Sequence, residues 1–214
     1  MNCSTSPPVV SNSSPPPSAL RPMRLAVEPG SGLRAGLASG NRHKLTELRW
    51  ALPGWEIELV GTPPFPPETG VTYAENARGK AEHGRASSQD DVWVIGEDSG
   101  IEATALGGRP GLASARWADD GVERLLYELG GVADRSARYV CAIVAIGPAC
   151  RKIVVEGILC GTITTSRSGD EGFGYDPVFV PDGERQTVAD LGDAWKTRHS
   201  HRARAAAALA WRLR

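Results

Sequence analysis

"DVWVIGEDSG", residues 91–100, sets a short apolar run directly against two acids and a Ser–Gly pair. Val92, Trp93, Val94 and Ile95 do not alternate with polar residues, so Asp91–Gly96 reads as a buried strand. In α/β proteins the site lies at the carboxyl ends of such strands, where Glu97 and Asp98 stand. Neighbouring strand residues point to opposite faces, so only one of these carboxylates can look into a given pocket. A carboxylate there can hold Mg2+ or orient a water as a base. An Asp-Ser-Gly turn, whose acid bonds the following amides, is the plainer reading of the same residues.

Upstream, "LRAGLAS" (33–39) is a weaker strand. "NRHKLTELRWAL" (41–52) follows, with Leu45, Leu48 and Leu52 at helical spacing and Pro53–Gly54 as the stop. "EIELV" (56–60) alternates as a strand does, and "GTPPFPPETG" (61–70) is a proline-stiffened loop. Residues 72–88 read as a helix that Thr72 and Glu75 open with a capping box. Downstream come a short helix (121–130), the longest apolar strand (137–147), and a segment at 152–165. That segment reads as two strands, or as one strand bent at Gly157 and Gly161. An Ala-rich helix runs from Ser200. Strands and helices mix without strict alternation, which predicts a mixed sheet rather than a doubly wound parallel one.

The chain has 214 residues. Its opening, "MNCSTSPPVVSNSSPPPSALRP", lacks the apolar core of a secretory signal and is too poor in apolar residues to offset ordering. Residues 1–34 are therefore expected to form a disordered Ser/Pro-rich tail, and 35–214 one domain. A net charge of −1 gives no global attraction for nucleic acid or an anionic membrane. No stretch approaches the roughly 18 apolar residues that span a bilayer. The four cysteines show no C-x-x-C spacing, which points to a reducing compartment, hence the cytoplasm, and no zinc site.

Four further places could carry chemistry. In "ASGNRHK" (38–44), Gly40 lets a phosphate approach the amides of a helix start. Lys44 there opposes the helix dipole, a conflict that an anion would remove, and Asn41 also fits an ordinary N-cap. Asn76 and Lys80 are four apart and share a helix face, with Glu68 in the stiff loop before them. "KTRHSHRAR" (196–204) gathers Lys196, His201 and Arg202, the last two in a first helical turn that disfavours cations. In "EGFGYDPVF" (171–179) glycines flank Phe173 and Pro177 stiffens Asp176, so a planar base can stack on a ring beside a fixed acid.

In this order, "LASGNRHKLTEL", "PETGVTYAENARGKA", "EDSGIEATALGGRPGLASARWA", "GDEGFGYDPVFVP" and "KTRHSHRARA" resemble the inosine/xanthosine triphosphate pyrophosphatase family from about Leu33 to the C-terminus. The resemblance implies an α/β fold, with a long mixed β-sheet, flanking helices and two lobes around a nucleotide cleft. It implies a homodimer that splits non-canonical purine nucleoside triphosphates into monophosphate and pyrophosphate with Mg2+. The turn Ser39, Gly40, Asn41, Arg42, His43 and Lys44 would then take phosphates, with Lys80 beside the triphosphate and Ser99 on the substrate. Asp98 would be the catalytic acid and, with Glu68, the metal side. Phe173, Gly174, Tyr175, Asp176, Lys196, His201 and Arg202 would read the base. Two departures stand out: Glu97 where the family usually has aspartate, and Ser39 where threonine is frequent. A related pyrophosphatase for other nucleotides and a catalytically silent nucleotide-binding module are the competing readings.

Overall fold

The computed structural model describes residues 32–214, so the tail expected at 1–34 lies almost wholly outside the described residues; Arg34 already belongs to the first strand. In chain order the elements are β1 (Arg34–Leu37), α1 (Arg42–Ala51), β2 (Glu56–Leu59), α2 (Tyr73–Arg85) and β3 (Trp93–Ala103). Then come α3 (Gly121–Glu128), β4 (Ser136–Ile146), β5 (Lys152–Ile163), β6 (Phe179–Pro181), α4 (Val188–His199) and α5 (His201–Arg212). The strands form one six-stranded sheet in the order β2-β1-β3-β4-β5-β6. β1 runs parallel to β2 and β3, and the remaining pairs are antiparallel, so the sheet is mixed.

Three expectations need correcting. β3 does not stop at Gly96: it continues through Glu97, Asp98 and Ser99 to Ala103, because β4 pairs with it from Val94 to Ala103. The acids therefore sit within a strand, just past the point where β1 ends opposite Ile95. Residues 152–163 form one continuous strand with strict alternation of exposed and buried positions. Gly157 does not bend it; a Cβ there would lie 2.1 Å from the His201 carbonyl oxygen, so glycine admits α5 against the sheet. Finally, residues 188–199, of which only the end was read, as the start of the basic run 196–204, form α4, which a Thr187/Asp190 capping box opens.

The two larger of four apolar clusters among the described residues share the long strands. One joins α1 and α5 to the first half of the sheet through Leu45, Leu48, Ile95, Ile143 and Leu209. The other lies under α3 and β6 through Ile101, Leu125, Tyr139 and Phe179. Helix α2 packs closely on β3 because Gly96 has no side chain: a Cβ there would fall 1.9 Å from the Ala77 carbonyl oxygen and 2.6 Å from the Ala81 nitrogen. Both obstacles are backbone and cannot turn aside. Gly96→Ala is therefore expected to destabilise the protein by about 3 kcal/mol, read as a lower urea midpoint. Among the described residues no helix is long and apolar enough to cross a membrane.

Candidate active site

Past Ile95, β3 carries two charge clusters, one on each face. Asp98 looks toward α2. Thr72 caps that helix by accepting from the Glu75 amide (3.1 Å), and the turn of four between Asn76 and Lys80 puts both on Asp98. Asn76 Nδ2 donates to Asp98 Oδ2 (3.0 Å), and Lys80 Nζ donates to Asp98 Oδ1 (2.9 Å) and to the Glu97 carbonyl (3.1 Å). Glu68 approaches the same ammonium at 2.5 Å and also pairs with Arg116. Burial pushes the Asp98 carboxyl above its ordinary range even though Lys80 and Asn76 pull it down. Burial likewise disfavours the Lys80 charge, but Asp98 and Glu68 outweigh it and hold that lysine firmly protonated. The face of α2 is thus buried ion-pairing surface, not a solvated one.

Glu97 looks the other way and is fully buried. Lys44 reaches its Oε2 at 2.6 Å, Arg202 Nη2 its Oε1 at 3.0 Å, and the Cys141 thiol donates to Oε1 at 3.2 Å. Burial alone would raise this carboxyl, yet Arg202 and Lys44 hold it well below the ordinary range. Glu97 is therefore the anion that offsets Lys44 in the first turn of α1, whose amides at His43 and Lys44 are capped by Asn41 Oδ1. The Asn41 amide in turn donates to Ser39 Oγ (3.1 Å). The expected ordinary cap is present, in the same turn that is expected to take phosphates. Arg42 and Gly40 are exposed.

The residues expected to read a base converge on one cavity. Ser200 caps α5 through the Ala203 amide, which starts that helix with His201 and Arg202 buried against the sheet. Arg202 also donates to Ser99 Oγ (3.0 Å) and pairs with Glu47. Lys196, from α4, lies between Glu47 (2.5 Å) and Asp176 (2.7 Å). Asp176 accepts the Phe173 amide at 2.8 Å. That closes the loop tightly enough that a Cβ on Gly172, whose φ is +79°, would lie 2.3 Å from Asp176 Oδ2. Pro177 and its neighbours form a short 3-10 turn that fixes the acid. The Phe173 ring has the Lys196 ammonium 4.6 Å from its centroid, the Arg202 guanidinium at 5.7 Å and the His43 ring at 5.2 Å. A cavity of about 160 Å³ is lined here by Asn41, Lys44, Ser99, Phe173, Gly174, Tyr175, Asp176, Lys196, His201 and Arg202.

Asp98, Lys80 and Glu68 do not line that cavity. They adjoin it through β3, since Lys80 holds the Glu97 carbonyl while Lys44 holds the Glu97 side chain. A larger recess of about 850 Å³ lies over β4, β5 and the 107–113 loop. Its arginines pair with acids, Arg138 with Glu102, Arg109 with Glu128 and Arg116 with Glu68.

Several residues of the site escaped the sequence reading, Gly100, Ile101, Ser114 and Ala115 of the cavity wall among them, and two make specific contacts. Glu47 is buried on α1 and pairs with both Lys196 and Arg202; its position, one turn past Lys44 on a mostly polar helix, looked like a solvent-facing charge. Tyr139, within the apolar run of β4, lines the cavity and donates its hydroxyl to Asp176 Oδ1 at 3.2 Å. A run of apolar residues gives no hint that one ring faces a site.

A mixed α/β sheet whose open strand carries a lysine–carboxylate cluster on one face and buried cations around a ring on the other defines a nucleotide-handling protein. The Ham1 family profile matches residues 36–211, and the chain belongs to that family. It is 44% identical over 194 residues to the dITP/XTP pyrophosphatase of Mycobacterium tuberculosis, covering 83% of this chain and 94% of the relative. It is 44% identical over 174 residues to that of Gloeobacter violaceus, covering 79% of this chain and 88% of the relative. The solved Staphylococcus aureus Ham1 protein superposes with a TM-score of 0.73 at 36% identity, covering 84% of this chain and 97% of the other.

Proposed function

We propose that this chain hydrolyses non-canonical purine nucleoside triphosphates (ITP, dITP and XTP) between the α and β phosphates, releasing the monophosphate and pyrophosphate. The observation that carries the reading is the pair of clusters on consecutive residues of β3: carboxylates with Lys80 about Asp98, and donors about a ring beyond Glu97. A triphosphate laid across the open edge of β3 meets Lys80 and Lys44, which offset charge growing on the leaving pyrophosphate. Asp98 orients a water in line with the α phosphorus and takes its proton.

Glu68 and Asp98 both lie within 3 Å of one ammonium (2.5 and 2.9 Å), and such a pair of oxygen donors suits a hard cation that keeps several waters. They are the residues that would hold Mg2+, which when bound adds Lewis-acid neutralisation of the phosphates.

Selectivity follows from which groups are already engaged. Glu47, Glu97 and Asp176 are each bonded to Lys196, Arg202 or Lys44. Lys44, Lys196 and Arg202 carry more N–H donors than these pairs use, so the groups left to meet a base are donors. They satisfy the oxygen at purine position 6, whereas the amino group of adenine meets donor with donor. A site built on such bonds discriminates by up to about 10⁴.

A panel of nucleoside triphosphates with Mg2+ tests this. Pyrophosphate release from ITP and XTP is expected to exceed that from ATP by at least about 10²-fold. Release of orthophosphate, or equal rates across the panel, would overturn the reading. Phe173→Ala is expected to raise KM for ITP about tenfold through lost stacking.

The same reading makes residues 35–214 the catalytic domain and the protein a cytoplasmic homodimer. Free Cys141, Cys150 and Cys160 accord with a reducing compartment, and light scattering checks the dimer.

A further inference from the structure

Asp176 and His201 come from different elements, yet one side chain touches both. The Tyr139 ring lies parallel to the His201 imidazole, with centroids 4.5 Å apart and planes 6° from coincidence. Its edge meets Phe179 at 4.8 Å, and its hydroxyl donates to Asp176 Oδ1 at 3.2 Å. Tyr139 is 7% exposed and stands on β4, the strand bonded along its length to both β3 and β5.

His201 lines the base-end cavity, and its Nδ1 is buried with no hydrogen-bond partner among the described residues. Buried polar atoms are rarely left unpaired, and those that are call for an explanation. Nδ1 has no exposed surface, so a purine edge that enters the cavity meets the imidazole elsewhere on its ring. That contact is directional only if the imidazole plane is fixed, because a hydrogen bond weakens steeply once its angle is lost. The parallel stack on Tyr139 restrains that plane. Burial and the neighbouring Arg202 charge hold His201 well below its ordinary range, so the imidazole is neutral and one ring nitrogen bears a proton.

We propose that Tyr139 is a positioning residue for base recognition: its ring sets the plane in which His201 meets the purine, and its hydroxyl anchors the acid that closes the Phe173 loop. This rests on the non-canonical purine reading above. The role is on recognition, not on bond cleavage, so its signature falls mainly in KM and in the choice between bases.

The test is a double-mutant cycle on ITP and ATP hydrolysis. Tyr139→Leu removes stack and hydroxyl. It is expected to raise KM for ITP about tenfold, with the smaller share of the loss in kcat, and to narrow the ITP-over-ATP ratio of kcat/KM about tenfold. His201→Ala is expected to act similarly. The double variant should lose only about threefold beyond the worse single one, the share that the hydroxyl carries through Asp176, because the stacked ring acts through His201. Fully multiplicative losses, or a loss confined to kcat with the base ratio intact, overturn the proposal. Should the leucine variant fail to fold by thermal melting, Tyr139→Phe carries the test: it keeps the ring and loses only the hydroxyl, with an expected threefold rise, roughly, in KM for ITP. An unchanged KM in that variant overturns the proposal as well. Wild-type protein that leaves ITP intact removes the underlying reading, and this inference with it. With wild-type protein active on ITP, a failed cycle counts against Tyr139 alone.

Discussion

Asp98→Asn is expected to cut pyrophosphate release from ITP by about 10²- to 10⁴-fold while the protein stays folded. The substitution is isosteric, so packing between β3 and α2 is preserved. The one oxygen of asparagine can keep the Lys80 bond, while its amide nitrogen faces the Asn76 donor, so one of the two present bonds of Asp98 is lost. What it cannot do is accept a proton from water. The fold has little reason to object, because burial already holds this carboxyl above its ordinary range. A carboxylate so raised is a charge the folded state carries at a cost, and removing it relieves that cost. Pyrophosphate release, read beside a urea melt, separates the two effects. Undiminished turnover with an unchanged melt would take Asp98 out of the chemistry; lost turnover with a collapsed melt would make it structural.

Arg202→Ala is expected to produce the largest loss of stability, about 3 to 5 kcal/mol. The guanidinium is 1% exposed and lies between Glu47 and Glu97, themselves 6% and 0% exposed. Removing it leaves two buried carboxylates with one lysine each, Lys196 and Lys44. Typical domains are stable by only about 5 to 15 kcal/mol, so the melting temperature at neutral pH should fall visibly. The sign of the pH dependence follows from the two acids. Both are held below their ordinary value of 4.5 in the folded protein. Their contribution is present above that value and is lost as pH falls through the lower folded value. The gap in melting temperature between wild type and Arg202→Ala should therefore be widest at neutral pH and shrink below about pH 4.5, as protonation removes the unpaired charges. A gap that widens in acid would show that Glu47 and Glu97 are not what Arg202 stabilises.

The helices and strands with clear apolar spacing could be read from the residues: α1 from Leu45 and Leu48, α2 from its cap, and β4 from its apolar run. The site was legible where a residue was odd for its place. Lys44 and Arg202 each sit in a first helical turn that disfavours cations, and both proved to be held by a buried acid. Legibility failed where the signal was long-range. No local pattern tells Glu47 from any solvent-facing glutamate, because what buries it is α4 and α5, more than a hundred residues away in the chain. The extent of β3 depended on β4 in the same way. Helix α4 was hidden because Gly192, at φ +77°, breaks its dihedral run and its face is only weakly apolar. The segment 107–121 has no apolar period to read; it is mostly turns around one short 3-10 helix (Gly111–Ala113), and its Ser114 hydroxyl accepts the Ile101 amide (2.9 Å).

Glu97 grips Lys44 with one oxygen and Arg202 with the other. Ancestral or laboratory lineages that alter any one of the three must pass through an intermediate with an unmatched ion in the interior. Drift at these positions is therefore expected to occur as linked replacements. A library that varies one codon at a time would score all three as immutable, even where a compensated trio folds and turns over a different nucleotide.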